Sequence, residues 1–179
     1  MDTEVNYELF RYRGDPLKAH DAGKPDSALI VIADIVRKEP GLKYAPLIAN
    51  HTFASLLKTD MHAAYEYGKL AIATPTYEEA PYAFIIGNIQ WYADKLILPA
   101  EIYRLGAEAY QLEIAHVPYP EIASLYKDYY EMAEWYWLAE EKAKAKEAMQ
   151  KAIEALKSKK NYSATDLDKY EYRLREYLK

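Results

Sequence analysis

The chain contains no cysteine, which excludes disulfides, a thiolate nucleophile and thiolate metal sites. Glycine and proline are sparse, at 6 and 9 of 179 residues, so few positions would break a helix interior. No run approaches the roughly 20 apolar residues needed to span a bilayer. The opening segment, MDTEVNYELF, lacks a basic stretch followed by an apolar core, so no export leader is read there. The protein is therefore expected in the cytoplasm as written, or in the periplasm or secreted if a leader has been trimmed. Phosphate-binding glycine loops, zinc-protease helices, nucleophile elbows and EF-hand loops are all missing from the sequence. No cofactor is expected.

What is present has a globular balance: 51% hydrophobic and 28% charged residues. The length suits one domain or one short solenoid. Tyrosine is the outlier, with 19 copies against 3 each of tryptophan and phenylalanine. The net charge of −5 is unevenly spread. Residues 1–75 carry −1, residues 76–141 carry −9 and residues 142–179 carry +5. A central segment this acidic would repel phosphate backbones, so nucleic acid is not expected as the partner.

Helical periodicity dominates the C-terminal half. Tyr129, Met132, Ala133 and Tyr136 share one helix face, and after a short break Ala145, Met149 and Ala152 share another. The small alanines would let two antiparallel helices approach closely. This pattern, and the segment AKEAMQKAIEAL over residues 145–156 above all, resembles a tetratricopeptide repeat, the helix–turn–helix unit of about 34 residues. Two interleaved series extend the likeness. Pro16, Pro46, Pro81 and Pro120 stand where first helices would begin. Ala28, Ala64, Ala100 and Ala145 fall in the second helices, with Pro40, Pro75 and Pro118 after the first three. Ala28, Ile32 and Ile35 repeat the spacing of Ala145, Met149 and Ala152.

The resemblance implies an all-α, TPR-like α-solenoid of about four antiparallel helix pairs. These cover roughly 8–38, 43–73, 77–115 and 120–158 of a single helical-repeat domain spanning 1–179. A last helix over 166–178, begun at Ser163 or Thr165, carries the stripe Leu167, Tyr170, Leu174 and Tyr177 and would cap the stack.

Sites for chemistry are scarce. Glu113 and His116 share a helix face, but di-iron bundles need two such pairs and further carboxylates. A surface histidine near a helix C-terminus accounts for His116. His51 and His62 fall on the two helices of the second pair, where structural or exposed roles are expected of them. Carboxylates such as Glu131, Glu134, Glu140 and Glu141 lie on helices expected to face water, and nothing in the sequence indicates the burial that would raise a pKa for acid–base work. Neither catalysis nor a metal site is expected.

The family resemblance implies that first helices line a concave groove. In the fourth pair its positions would be Lys127, Tyr130, Glu134 and Trp137, and in the third Phe84, Asn88 and Trp91. Phe84 and Tyr130, Asn88 and Glu134, and Trp91 and Trp137 each stand 46 residues apart. In earlier pairs the equivalents are Ala49, Phe53 and Leu56, and before them Arg13, Leu17 and His20. Exposed aromatics in a concavity are effective anchors, burying large area at small rotamer cost. The expected function is a non-catalytic scaffold whose aromatic, acidic groove (Phe84, Asn88, Trp91, Tyr130, Glu134, Trp137) takes a basic or neutral protein or peptide. A homodimer is a further expectation, with the −9 segment of one chain facing the +5 segment of another. The alternatives are a carbohydrate or small-ligand module on the same aromatics, and a helical domain of a larger multidomain protein.

Overall fold

The computed structural model describes residues 24–73, 82–116 and 124–178. Among them are eight α-helices, one 3₁₀ turn and no strand. The helices are α1 (Pro25–Lys38), α2 (Pro46–Thr59), α3 (Met61–Ala73), α4 (Tyr82–Ala93), α5 (Ala100–His116), α6 (Leu125–Leu138), α7 (Lys142–Lys157) and α8 (Ala164–Tyr177), with the 3₁₀ turn at Pro40–Leu42. The architecture is the all-α, solenoid-type arrangement of helix pairs. The chain divides into two compact units, Met1–Tyr92 and Ala93–Lys179. The proline residues at 16, 81 and 120, and the first helix expected within the 8–38 pair, lie outside the described residues. Proline does open α1 at Pro25 and α2 at Pro46, where the missing amide donor costs nothing.

In the first unit α2 packs against α1 and α3, and side chains of α4 meet it as well. The sequence of α2, PLIANHTFASLLKT, suits the middle position because its apolar residues are spread round the helix and two of its buried polar residues, Thr52 and Ser55, are small. Ile48, Ala49, His51, Thr52, Phe53, Ala54, Ser55 and Leu57 are all buried, so α2 is covered on most sides and encloses three polar side chains along with its apolar ones. Thr52 settles its hydroxyl by donating to the Ile48 carbonyl at 2.7 Å. Helix α3 turns Ala64, Gly68 and Ala71 inward, and α1 turns in Ala28, Ile32 and Ile35. Tyr67 donates to the Lys43 carbonyl at 2.7 Å and its ring lies 5.4 Å from that of Tyr44. Burial raises the Tyr67 phenol well above its ordinary value.

The second unit is built on the α6–α7 hairpin, flanked by α5 and α8. Ala133, Ala145, Met149 and Ala152 are fully buried, so the alanines do stand where the helices approach. Tyr110 of α5 packs on Trp135 of α6 with centroids 5.0 Å apart. The Tyr136 hydroxyl donates to Gln111 Oε1 at 2.9 Å, and burial pushes this phenol up to about 12. The alanine series breaks at Ala100, which is only partly covered at the first turn of α5. Ala109, deeper in α5, is the fully buried small residue. Residue 109 lies 36 before Ala145, so the extra length falls earlier in the chain than the Ala100 register implies.

The α6–α7 turn is a Schellman closure. Glu141 N–H reaches the Tyr136 carbonyl at 2.9 Å and Glu140 N–H the Trp137 carbonyl at 3.0 Å. That motif needs a left-handed residue, supplied here by Glu140 at φ 62° rather than by glycine. A side chain in this region is disfavoured by about 1–2 kcal/mol, while glycine costs about 0.5–1 kcal/mol in chain entropy. Glu140→Gly is therefore expected to raise stability by up to about 1 kcal/mol. Denaturant unfolding checks this, and a clear loss would mean that the Glu140 side chain itself supports the turn. Glu141 follows, bridging Arg104 of α5 and Lys144 of α7. The bonds from Lys144 and Arg104 hold its carboxyl below the ordinary range, against a smaller opposing effect of burial.

Candidate protein-interaction surfaces

The six residues expected to contact a partner divide between the units, and each unit places its three differently. In the first, Phe84 is half-buried and meets Phe53 edge-on at 6.1 Å and 67°. Asn88 is also half-buried. Its amide donates to Asn50 Oδ1 at 2.6 Å and to the Phe84 carbonyl at 2.7 Å, so it ties α4 to α2. Trp91 points outward and is 66% exposed, while its neighbour Tyr92 is buried.

The α2 positions require a correction. Ala49 and Phe53, expected on the groove, are fully buried, and Leu56 is half-buried. The cause is the central place of α2: α1, α3 and side chains of α4 cover the faces that carry Ala49 and Phe53. Arg13, Leu17 and His20 lie outside the described residues.

In the second unit Tyr130, Glu134 and Trp137 share one face of α6, and α8 of the same chain lies over that face. The Tyr130 ring stacks on Tyr170 at 4.4 Å and 24°, and Trp137 stacks on Tyr177 at 4.6 Å and 18°. Between these stacks Arg173 grips Glu134 as a fork, Nε to Oε1 at 2.6 Å and Nη2 to Oε2 at 2.8 Å. The Tyr177 hydroxyl also donates to Glu134 Oε1. Burial and that bond raise the Tyr177 phenol, and the bond to Glu134 raises the Arg173 guanidinium, so donor and cation persist across the working pH range. Lysines complete the rim: Lys169 Nζ lies 4.6 Å from the Tyr130 ring and Lys159 Nζ 4.5 Å from Tyr126. Lys127, expected on the same face, is exposed with its Nζ 5.9 Å from Tyr126.

Arg173, from the basic 142–179 segment, thus pairs with Glu134 of the acidic 76–141 segment within one chain. Ser163 begins α8, its hydroxyl accepting from Asp166 N–H at 3.2 Å. Arg173 and Asn50 are the contributors missed in the sequence. Arg173 stands between Tyr170 and Tyr177 of a stripe already visible, so its position beside the aromatics was a usable signal. Asn50 had none.

Glu131, next on α6, is partly covered. Burial and the carboxylates of Glu134 and Asp128 raise its pKa against the opposing pull of Lys169. A carboxyl raised in the fold is penalised above its folded pKa, and the penalty vanishes once the pH falls below its unfolded value. Glu131→Gln is expected to raise the melting temperature at pH 7 and to leave it unchanged below about pH 4. Paired thermal melts at the two pH values test this. A gain that persists at low pH would point to packing instead.

On the opposite side of α6, between α5 and α7, lies a cleft of about 420 Å³. Ile114, Tyr129, Met132 and Ala148 form its floor, with Lys144 and Lys151 at the rim. Those lysines already pair with Glu141 and Glu147. His116 Nδ1 lies 2.9 Å from the Leu112 carbonyl at the end of α5. Among the described residues no three His, Asp or Glu side chains are grouped to hold a metal, and no helix is long and apolar enough to cross a membrane.

No family model and no curated protein matches the chain. A solved structure does: the MamA RS-1 ArsTM double mutant, with a TM-score of 0.50 and 15% identity over 96% of this chain and 94% of that one. That protein is a TPR-type helical protein, and the similarity shows a shared all-α fold.

Proposed function

We propose that the chain is a non-catalytic scaffold for protein or peptide contacts, built as a TPR-like helical-repeat domain over residues 1–179. The observation that carries this is the α6 face itself. Tyr130, Glu134 and Trp137 already hold a peptide segment, the chain's own α8, by aromatic stacking and an arginine fork. A surface that recognises a helix in this way is suited to basic or neutral protein partners and poorly suited to acidic ones. Trp91, with Phe84 and Asn88 behind it, offers a second anchor on the first unit. The shared fold with a TPR-type protein supports the same reading. A sugar stacking on Tyr130 and Trp137 would, like a peptide, have to displace Tyr170 and Tyr177, and the described residues add no carbohydrate-specific group.

Fluorescence anisotropy with basic, neutral and acidic peptide libraries tests the proposal. Basic or neutral peptides are expected to bind, and Trp91→Ala to weaken them without moving the melting temperature. Equal binding of acidic peptides, or none of any class, would reject it. The homodimer belongs to the same proposal, and light scattering at low salt decides it, with a monomer counting against.

A further inference from the structure

Helix α8 packs its backbone against α7 and reaches α6 through side chains. Of its 14 residues only Tyr170 and Tyr177 are buried, against six in α7 (Ala145, Ala148, Met149, Ala152, Ile153, Leu156). The connection between α7 and α8 is exposed at Ser158 and again from Lys160 to Ser163. Few buried apolar residues behind an exposed connection mark a segment that opens locally without unfolding what it covers. Beneath it, α6 would present Tyr126, Tyr130 and Trp137 around the Glu134 carboxylate, an aromatic cluster about one charge. Such clusters supply most of the energy at helix-binding interfaces.

We infer that α8 is an internal stand-in for a partner: the α6 face is a docking site for an amphipathic helix of another protein carrying an aromatic, an arginine three residues on and a second aromatic four further. This rests on the scaffold reading and specifies the partner for one of its surfaces. The chemistry is read from α8 itself. Tyr170 stacks on Tyr130, Arg173 forks onto Glu134 and Tyr177 stacks on Trp137, so each element of the pattern has a fitted counterpart. The occupant is a different protein rather than a second copy of this chain. A tethered α8 acts at an effective concentration of order millimolar, and an identical helix in solution adds no contact with which to displace it. A foreign helix that reaches beyond the α8 footprint does. Docked α8 therefore raises the threshold for binding, and weakening it lowers that threshold.

The test uses the full chain and a fluorescent synthetic peptide of residues 162–178. The parent chain is expected to bind it weakly. Arg173→Ala or Tyr177→Ala in the protein, which loosen α8 and leave α6 intact, should tighten peptide binding by at least about tenfold. Arg173→Ala made in the peptide instead should abolish binding, as should Glu134→Gln added to either loosened protein. If the loosened variants bind no better than the parent, α8 is a fixed structural cap and the inference fails. It also fails if the parent sediments as a dimer that exchanges α8. Arg173→Ala alters a partly exposed pair and keeps the assay informative should Tyr177→Ala not fold. Loss of Trp91-dependent library binding would sink the scaffold proposal while leaving this result unaffected.

Discussion

Truncating Phe53 to alanine is expected to destabilise the first unit by about 3–5 kcal/mol, the usual cost of removing a buried aromatic ring. Phe53 is fully buried in α2 and carries the edge contact with Phe84. Helices pack around it from several sides, so the void cannot close by a shift of one neighbour. Against a typical total of about 5–15 kcal/mol, that loss takes much of the unit's stability. Trp91→Ala, on α4 of the same unit, should change stability by less than about 0.5 kcal/mol because its side chain faces water. Denaturant unfolding of the two variants beside the parent provides the comparison. Similar effects in both would mean that α2 is not the central helix of its unit.

Tyr177→Ala should have the next largest effect, about 2–4 kcal/mol, because it removes a buried ring and its stack on Trp137. Tyr177→Phe separates ring from hydroxyl. It keeps the stack, loses the hydrogen bond to Glu134 and should cost only about 1 kcal/mol, since Arg173 still holds that carboxylate. The difference between the two variants measures how far α8 is seated by aromatic area and how far by the polar fork. The change in near-UV circular dichroism that depends on Trp137, isolated with a Trp137→Phe control and read beside the melts, reports whether the stack survives. If neither variant loses stability, α8 is not docked on α6 in solution, and the internal-ligand inference fails with it.

Helical structure was legible because it is local and periodic. Ala28, Ile32 and Ile35, and likewise Ala145, Met149 and Ala152, announced buried faces from spacing alone, and each set is buried. Ser163 was a readable cap for the same reason, its oxygen serving an amide three residues on. The groove was less legible. Periodicity says that Tyr130, Glu134 and Trp137 share a face, yet the segment covering that face is 39 to 43 residues further along the chain. Phe53 and Trp91 show the other limit. Both are large aromatics at expected groove positions, but one is enclosed and one faces water. What separates them is how many helices surround α2 compared with the outer side of α4.

By itself the sequence determined that this chain is helical, which stripe of most helices is apolar, and that acidic and basic charge fall in successive segments. These follow from backbone hydrogen bonding and a 3.6-residue period, which need only near neighbours. Tertiary structure alone decided that the C-terminal helix lays Tyr170, Arg173 and Tyr177 on the α6 face of its own chain. That outcome depends on matching Tyr170, Arg173 and Tyr177 to three side chains on a distant helix. Shape and charge complementarity between separated helices leaves no periodic trace in either one.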